Sequence, residues 1–66
     1  MLTNNSIQDM LIRIKNGQLA KKEYICQPMD KLCLKILEII YKEGYIKNYS
    51  IDDQKNIRIW LKYSNN

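Results

Sequence analysis

Apolar residues recur along this chain with two different periods, and the switch between them marks out five elements. Ile7, Met10, Leu11 and Ile14 fall at i, i+3, i+4 and i+7, the spacing that stacks side chains on one face of a helix. Two cap registers are open for it: Asn5 with Gln8, or Ser6 with Asp9, either of which makes a capping box. Asp9 also reaches Arg13 at i+4, a pair that supports a helix by about 0.3 kcal/mol. Asn16 and Gly17 end the strong signal because both tolerate left-handed backbone, although "QLAKK" has the composition to carry the helix one turn further.

"EYICQ" is a short extended segment, closed by Pro28, which pushes the residue before it out of the helical region. A second helix follows, with Asp30 as its cap. Leu32, Cys33, Ile36, Leu37, Ile40 and Tyr41 form its apolar surface and Ile39 widens it, while Lys31, Lys35, Glu38 and Lys42 point outward. Gly44 is the residue expected just past its end. From Tyr45 the period becomes two. Tyr45, Lys47, Tyr49 and Ile51 alternate with Ile46, Asn48 and Ser50, a strand whose apolar side is poorly defined. "DDQK" makes a turn, and Asp52 and Asp53 belong to it. Ile57, Ile59, Leu61 and Tyr63 then alternate cleanly with Asn56, Arg58, Trp60 and Lys62, as a half-buried antiparallel strand does. The order helix, strand, helix, strand, strand predicts an α+β fold, with two helices packed on a small sheet. Residues 1–66 make one domain, and a chain of this size buries only about 60% of its unfolded surface. A partner is therefore expected.

Charge narrows the function. The formal net charge is +4, which favours polyanionic partners. The sequence holds no histidine, no glycine-rich phosphate loop and no carboxylate pair outside the turn, so no enzyme is expected. Cys26 and Cys33 cannot supply the roughly four ligands of a zinc site. They read as buried or half-buried thiols of a reducing compartment, and no cofactor is expected. No run approaches the 18 or so apolar residues of a membrane span. "MLTNN" resembles neither a signal peptide nor an Arg-rich presequence, so the chain is expected to work in the compartment where it is made. Its preference for Ile, Lys, Asn and Tyr suggests an AT-rich genome.

Arg13 lies opposite much of the apolar stripe, and Lys15 and Asn16 extend a polar edge toward Lys21 and Lys22. Arg forks two hydrogen bonds onto a phosphate, Lys supplies a mobile charge, and Asn donates to phosphate or sugar. A solvated helix face is the plain alternative. Lys31 sits where helices favour negative charge. A phosphate held by Lys31 and the first-turn amides would resolve this, but Asp30 beside them would repel it. Trp60, on the polar-looking face with Arg58 and Lys62, suits either a stacked base or a protein layer. The protein layer is favoured, with Trp60 and Tyr63 at the interface.

"DMLIRIKNGQ", "QPMDKL", "KEGYI" and "LKY" resemble, in that order, the landmarks of the bacterial-type family of small-subunit ribosomal protein eight, from about Asn5 to Tyr63. The resemblance implies the amino-terminal half of a two-domain, non-enzymatic protein that binds the central domain of small-subunit ribosomal RNA early in assembly. It places Asp9, Arg13 and Asn16 in the half's most characteristic motif, turns Arg13 and Asn16 to RNA with Thr3 and Asn5 nearby, and makes Lys31 a phosphate contact. Met29 and Asp30 stand where the family has hydroxyl residues, and Cys33 replaces what is often a Lys. The expected RNA set is thus Thr3, Asn5, Arg13, Lys15, Asn16, Lys22 and Lys31. The second domain that follows "LKY" in the family is not in this sequence. The expectation is a split gene, narrowly ahead of a fragment or of a reduced ribosome that dispenses with the domain, with a separate polypeptide supplying it beside neighbouring ribosomal proteins. The expected site is the mitochondrial matrix, in an organelle-encoded ribosome, with a plastid or a reduced bacterium as alternatives. The competing function is a small non-catalytic protein-interaction module.

Overall fold

A computed structural model describes residues 5–63, with Asn5 described in its backbone only. The elements follow the expected order: α1 (Asn5–Leu19), β1 (Tyr24–Pro28), α2 (Lys31–Lys42), β2 (Ile46–Ile51) and β3 (Asn56–Leu61). β3 lies in the middle, antiparallel to β1 on one side and to β2 on the other. Both helices pack on the same face of this sheet, α1 over β1 and α2 over β2.

The core is Met10 from α1, Cys33 and Leu37 from α2, and Ile46, Ile57, Ile59 and Leu61 from the sheet. Full burial of one such aliphatic side chain contributes about 1.5–3 kcal/mol. Ile7, Ile14, Ile36 and Ile40 pack against it half-buried. Leu11, Leu32, Ile39 and Tyr41 remain exposed. The apolar surface of α2 is therefore narrower than its sequence suggests, because three short strands cover only one stripe of each helix.

α1 does not stop at Gly17. It runs to Leu19 and closes with a Schellman arrangement in which the Lys22 amide donates to the Gly17 carbonyl at 2.9 Å and the Lys21 amide to Gln18 at 3.1 Å. The left-handed residue there is Lys21, at φ 57°, a position that usually holds glycine. Gly17 serves another purpose. A Cβ on it would stand 2.7 Å from Ile25 Cγ2 and 2.9 Å from Leu61 Cδ1, so the bare glycine lets α1 settle onto β1 and β3.

α2 begins as expected. Asp30, extended at φ −151°, accepts from the Leu32 amide at 2.9 Å and the Cys33 amide at 3.4 Å. Gly44 takes φ +83°, and the Tyr45 amide donates to the Ile40 carbonyl at 3.1 Å to end the helix. At the other end of the domain Ser6 is already inside α1. Its hydroxyl donates to Asp30 at 3.2 Å, so the Ser6–Asp9 capping box does not form, and the Asn5 register falls at the edge of the described residues. Asp9 and Arg13 do not pair either. Among the described residues the ion pair is Lys42 with Glu38, at 3.9 Å.

β2 owes its unclear alternation to a bulge. Ile46 pairs with Leu61 but Asn48 already pairs with Trp60, so Lys47 is the extra residue, and it turns Ile46 and Tyr49 to the same side. The Asp52 turn is closed by its own carboxylate, which accepts from the Gln54 amide at 2.9 Å and the Asn56 amide at 3.0 Å.

Candidate nucleic-acid interface

Arg13 and Asn16 are one turn apart on α1, close enough to act on one ligand. The seating of Gly17 against Ile25 brings that turn down beside the edge strand β1. The Schellman bend then folds the chain back, so that Lys22 arrives at the same place. A cleft of about 390 Å³ results, lined by Arg13, Asn16 and Lys22 and floored by Gly17, Tyr24, Ile25 and Cys26. No carboxylate lies within ion-pairing distance of Arg13 or Lys22 among the described residues. Both cations are available to an anion from outside.

Long-range contacts pin the bend to the last strand, the Leu61 amide donating to the Glu23 carbonyl at 3.0 Å. The Tyr63 hydroxyl, just after β3, donates to the Lys22 carbonyl at 2.6 Å and stands 3.3 Å from the Gly17 carbonyl. A hydroxyl carries one proton, and the shorter contact takes it. Tyr63, expected at a protein interface, thus also ties the last strand to the loop that carries Lys22.

The remaining residues of the expected RNA set are not in the cleft. Lys15 is two positions from Arg13, which turns the two side chains roughly 160° apart around the helix axis, and it is exposed on the outer side. Lys31 opens α2, beside the Ser6–Asp30 contact, at the other end of α1. The α2 amides do not form an anion site there, because Asp30 already occupies those of Leu32 and Cys33. Thr3 lies outside the described residues, as does the side chain of Asn5. Tyr24 and Cys26 were not singled out in the sequence as site residues. Their alternation in one strand was visible, but not which helix that strand would lie beside.

The cysteines differ. Cys26 is exposed in the cleft, contrary to the expectation of two covered thiols, because it lies on the sheet face that no helix covers. Cys33 is fully buried. Burial pushes its thiol above the ordinary value, and the Asp30 carboxylate acts in the same direction. Among the described residues no helix is long and apolar enough to cross a membrane.

Fold and cleft together define a small two-layer α+β domain with a cationic groove beside its first helix. Residues 5–66 match the family profile of ribosomal protein S8. The chain is 42% identical over 67 residues to small ribosomal subunit protein uS8 of Rhodospirillum centenum, covering 96% of this chain and 51% of that one. It is 44% identical over 66 residues to uS8 of Erythrobacter litoralis and 40% over 65 to uS8 of Buchnera aphidicola, each covering 96% of this chain and 50% of the relative. This chain belongs to the ribosomal protein S8 family. It spans about half the length of these relatives.

Proposed function

We propose that this chain is a structural, non-catalytic constituent of the small ribosomal subunit that binds and positions the central domain of the small-subunit ribosomal RNA. The observation that carries this reading is the convergence of Arg13, Asn16 and Lys22 on one cleft, with no carboxylate paired to its cations among the described residues, in a member of a ribosomal family. Contacts of this kind are made to phosphate and sugar, so they hold an RNA in place with little base readout. Lys31, beside the Ser6–Asp30 contact, is a second attachment point. Lys15 adds a peripheral charge.

The protein partners of this reading are neighbouring ribosomal proteins and the polypeptide corresponding to the second half of the relatives. The Ile-, Lys- and Asn-rich composition supports an AT-rich genome, that of an organelle or of a reduced bacterium, and the compartment proposed is an organellar ribosome in the mitochondrial matrix. The test is recovery of the native chain from ribosome-enriched extract in moderate salt, with sequencing of the bound RNA and mass spectrometry of the bound protein. Small-subunit RNA together with a polypeptide resembling the second half of the family is the expected result. Its size separates an independent polypeptide from a continuation of this chain. Recovery of neither overturns the reading and leaves the interaction module.

A further inference from the structure

The sheet face turned away from the helices carries an aromatic pair with a cation laid against it. Tyr24 of β1 and Trp60 of β3 are direct cross-strand partners, with ring centroids 6.0 Å apart and planes at 50°. Arg58 lies two residues before Trp60 on the same side of β3. Its guanidinium carbon is 4.9 Å from the Tyr24 ring centre and 6.0 Å from that of Trp60. The Arg58 Nε is buried and has no hydrogen-bond partner among the described residues. Asn48 flanks Trp60 and Ser50 flanks Arg58 from β2, and no residue of the three strands is acidic.

This face is continuous with the cleft. Tyr24, with 40% of its surface exposed, belongs to both, since it also lines the groove with Arg13 and Lys22. A chain of phosphates entering the groove therefore meets a π surface at the point where it leaves. Aromatic faces and guanidinium planes both stack on nucleobases, whatever the base, because every base has a π face. A protein layer would need a broader apolar patch than one aromatic pair flanked by Arg58, Asn48 and Ser50.

We infer that the open sheet face takes an unpaired nucleobase of the bound RNA, stacked on the Tyr24–Trp60 pair, while the adjoining phosphate lies in the Arg13–Lys22 cleft. This deepens the RNA-binding reading above and rests on it. Because the contact needs a base free of its helix, it selects a loop, bulge or single strand over a continuous duplex.

Trp60 is the sole tryptophan, so its emission reports on the face directly. The full chain is titrated with an end-labelled single strand of eight adenosines and with a blunt RNA duplex of the same length, reading Trp60 emission and label anisotropy together. Saturable quenching by the single strand, little by the duplex, and about a 10-fold weaker single-strand affinity for Tyr24→Leu are expected. Circular dichroism checks that the variant folds, and the quenching of the unaltered chain stands without it. Anisotropy that rises while Trp60 emission stays flat overturns the base platform and leaves the RNA reading intact. Emission that responds only to added small-subunit proteins assigns the face to a protein layer and overturns it too. Binding of neither RNA overturns both.

Discussion

The hydroxyl of Tyr63 lies 2.6 Å from the carbonyl of Lys22, across a separation of 41 residues. Together with the Leu61 amide, which donates to the Glu23 carbonyl at 3.0 Å, that contact holds the loop after α1 against the end of β3, and so steadies Lys22 beside Arg13. Replacing Tyr63 with Phe removes the donor and leaves the ring. A loss of about 1 kcal/mol is expected in urea denaturation. RNA affinity falls with it, because Lys22 is no longer held over the cleft. Unchanged stability would mean that the hydroxyl is equally well satisfied by water.

Gly17→Ala sets two effects against each other. Alanine favours a helix interior by about 1 kcal/mol, but its methyl group would meet Ile25 Cγ2 at 2.7 Å and Leu61 Cδ1 at 2.9 Å. Ile25 Cγ2 is fixed to a branched Cβ and cannot swing away freely. Overpacking costs about 1–3 kcal/mol, so net destabilisation of about 1 kcal/mol is expected, a fall of roughly 4–8 °C in Tm for a domain of this size. A rise in Tm would show that α1 can shift off the sheet at little cost.

The two cations of α1 are predicted to behave differently. Arg13→Ala should weaken RNA binding and lower the slope of log K against log salt by about 1, the signature of one lost phosphate contact. Lys15→Ala, on the outer side of the helix, should change both by much less. Equal effects would mean that binding follows total charge and not the cleft.

Thiol chemistry separates the two cysteines. Cys26 should react with a maleimide in the native state, while Cys33 should react only on unfolding, since it is fully buried. Burial first, and Asp30 second, raises the Cys33 pKa in the folded chain. The unfolded chain then ionises at lower pH than the folded one, so the contribution of Cys33 to stability is complete below the ordinary thiol range and is lost as pH rises from there through the raised folded value. Cys33→Ala should flatten that part of the pH–stability curve, as followed by denaturation at a series of alkaline pH values.

Asp30 holds both helices by their amino ends, taking the Leu32 and Cys33 amides on one oxygen and the Ser6 hydroxyl on the other. Asp30→Ala should cost about 0.5–2 kcal/mol, the range of a lost cap, while Ser6→Ala should cost less because the cap itself survives. Thermal denaturation of the two variants distinguishes the roles.

The five elements, their order, the Asp30 cap, the Gly44 stop and the buried face of β3 were all legible in the chain's own pattern. Each of these is local: a period of apolar residues, or a side chain that bonds its own backbone a few positions away. Arg13, Lys15 and Asn16 were legible as polar positions of one helix, and the family motif singled out Arg13 and Asn16. Only the tertiary structure decided that α1 runs past Gly17, since that glycine answers to Ile25 and Leu61 and not to the helix end. Only pairing with β3 revealed the Lys47 bulge, which puts Ile46 and Tyr49 on one side. The strand order places β1 next to β3, and from that order Tyr24 meets Trp60, while the seating of Gly17 and the bend after α1 bring Lys22 to Arg13. A cleft made by long-range contacts leaves no period in the chain, because its residues are neighbours only once loop, helix and strand have packed.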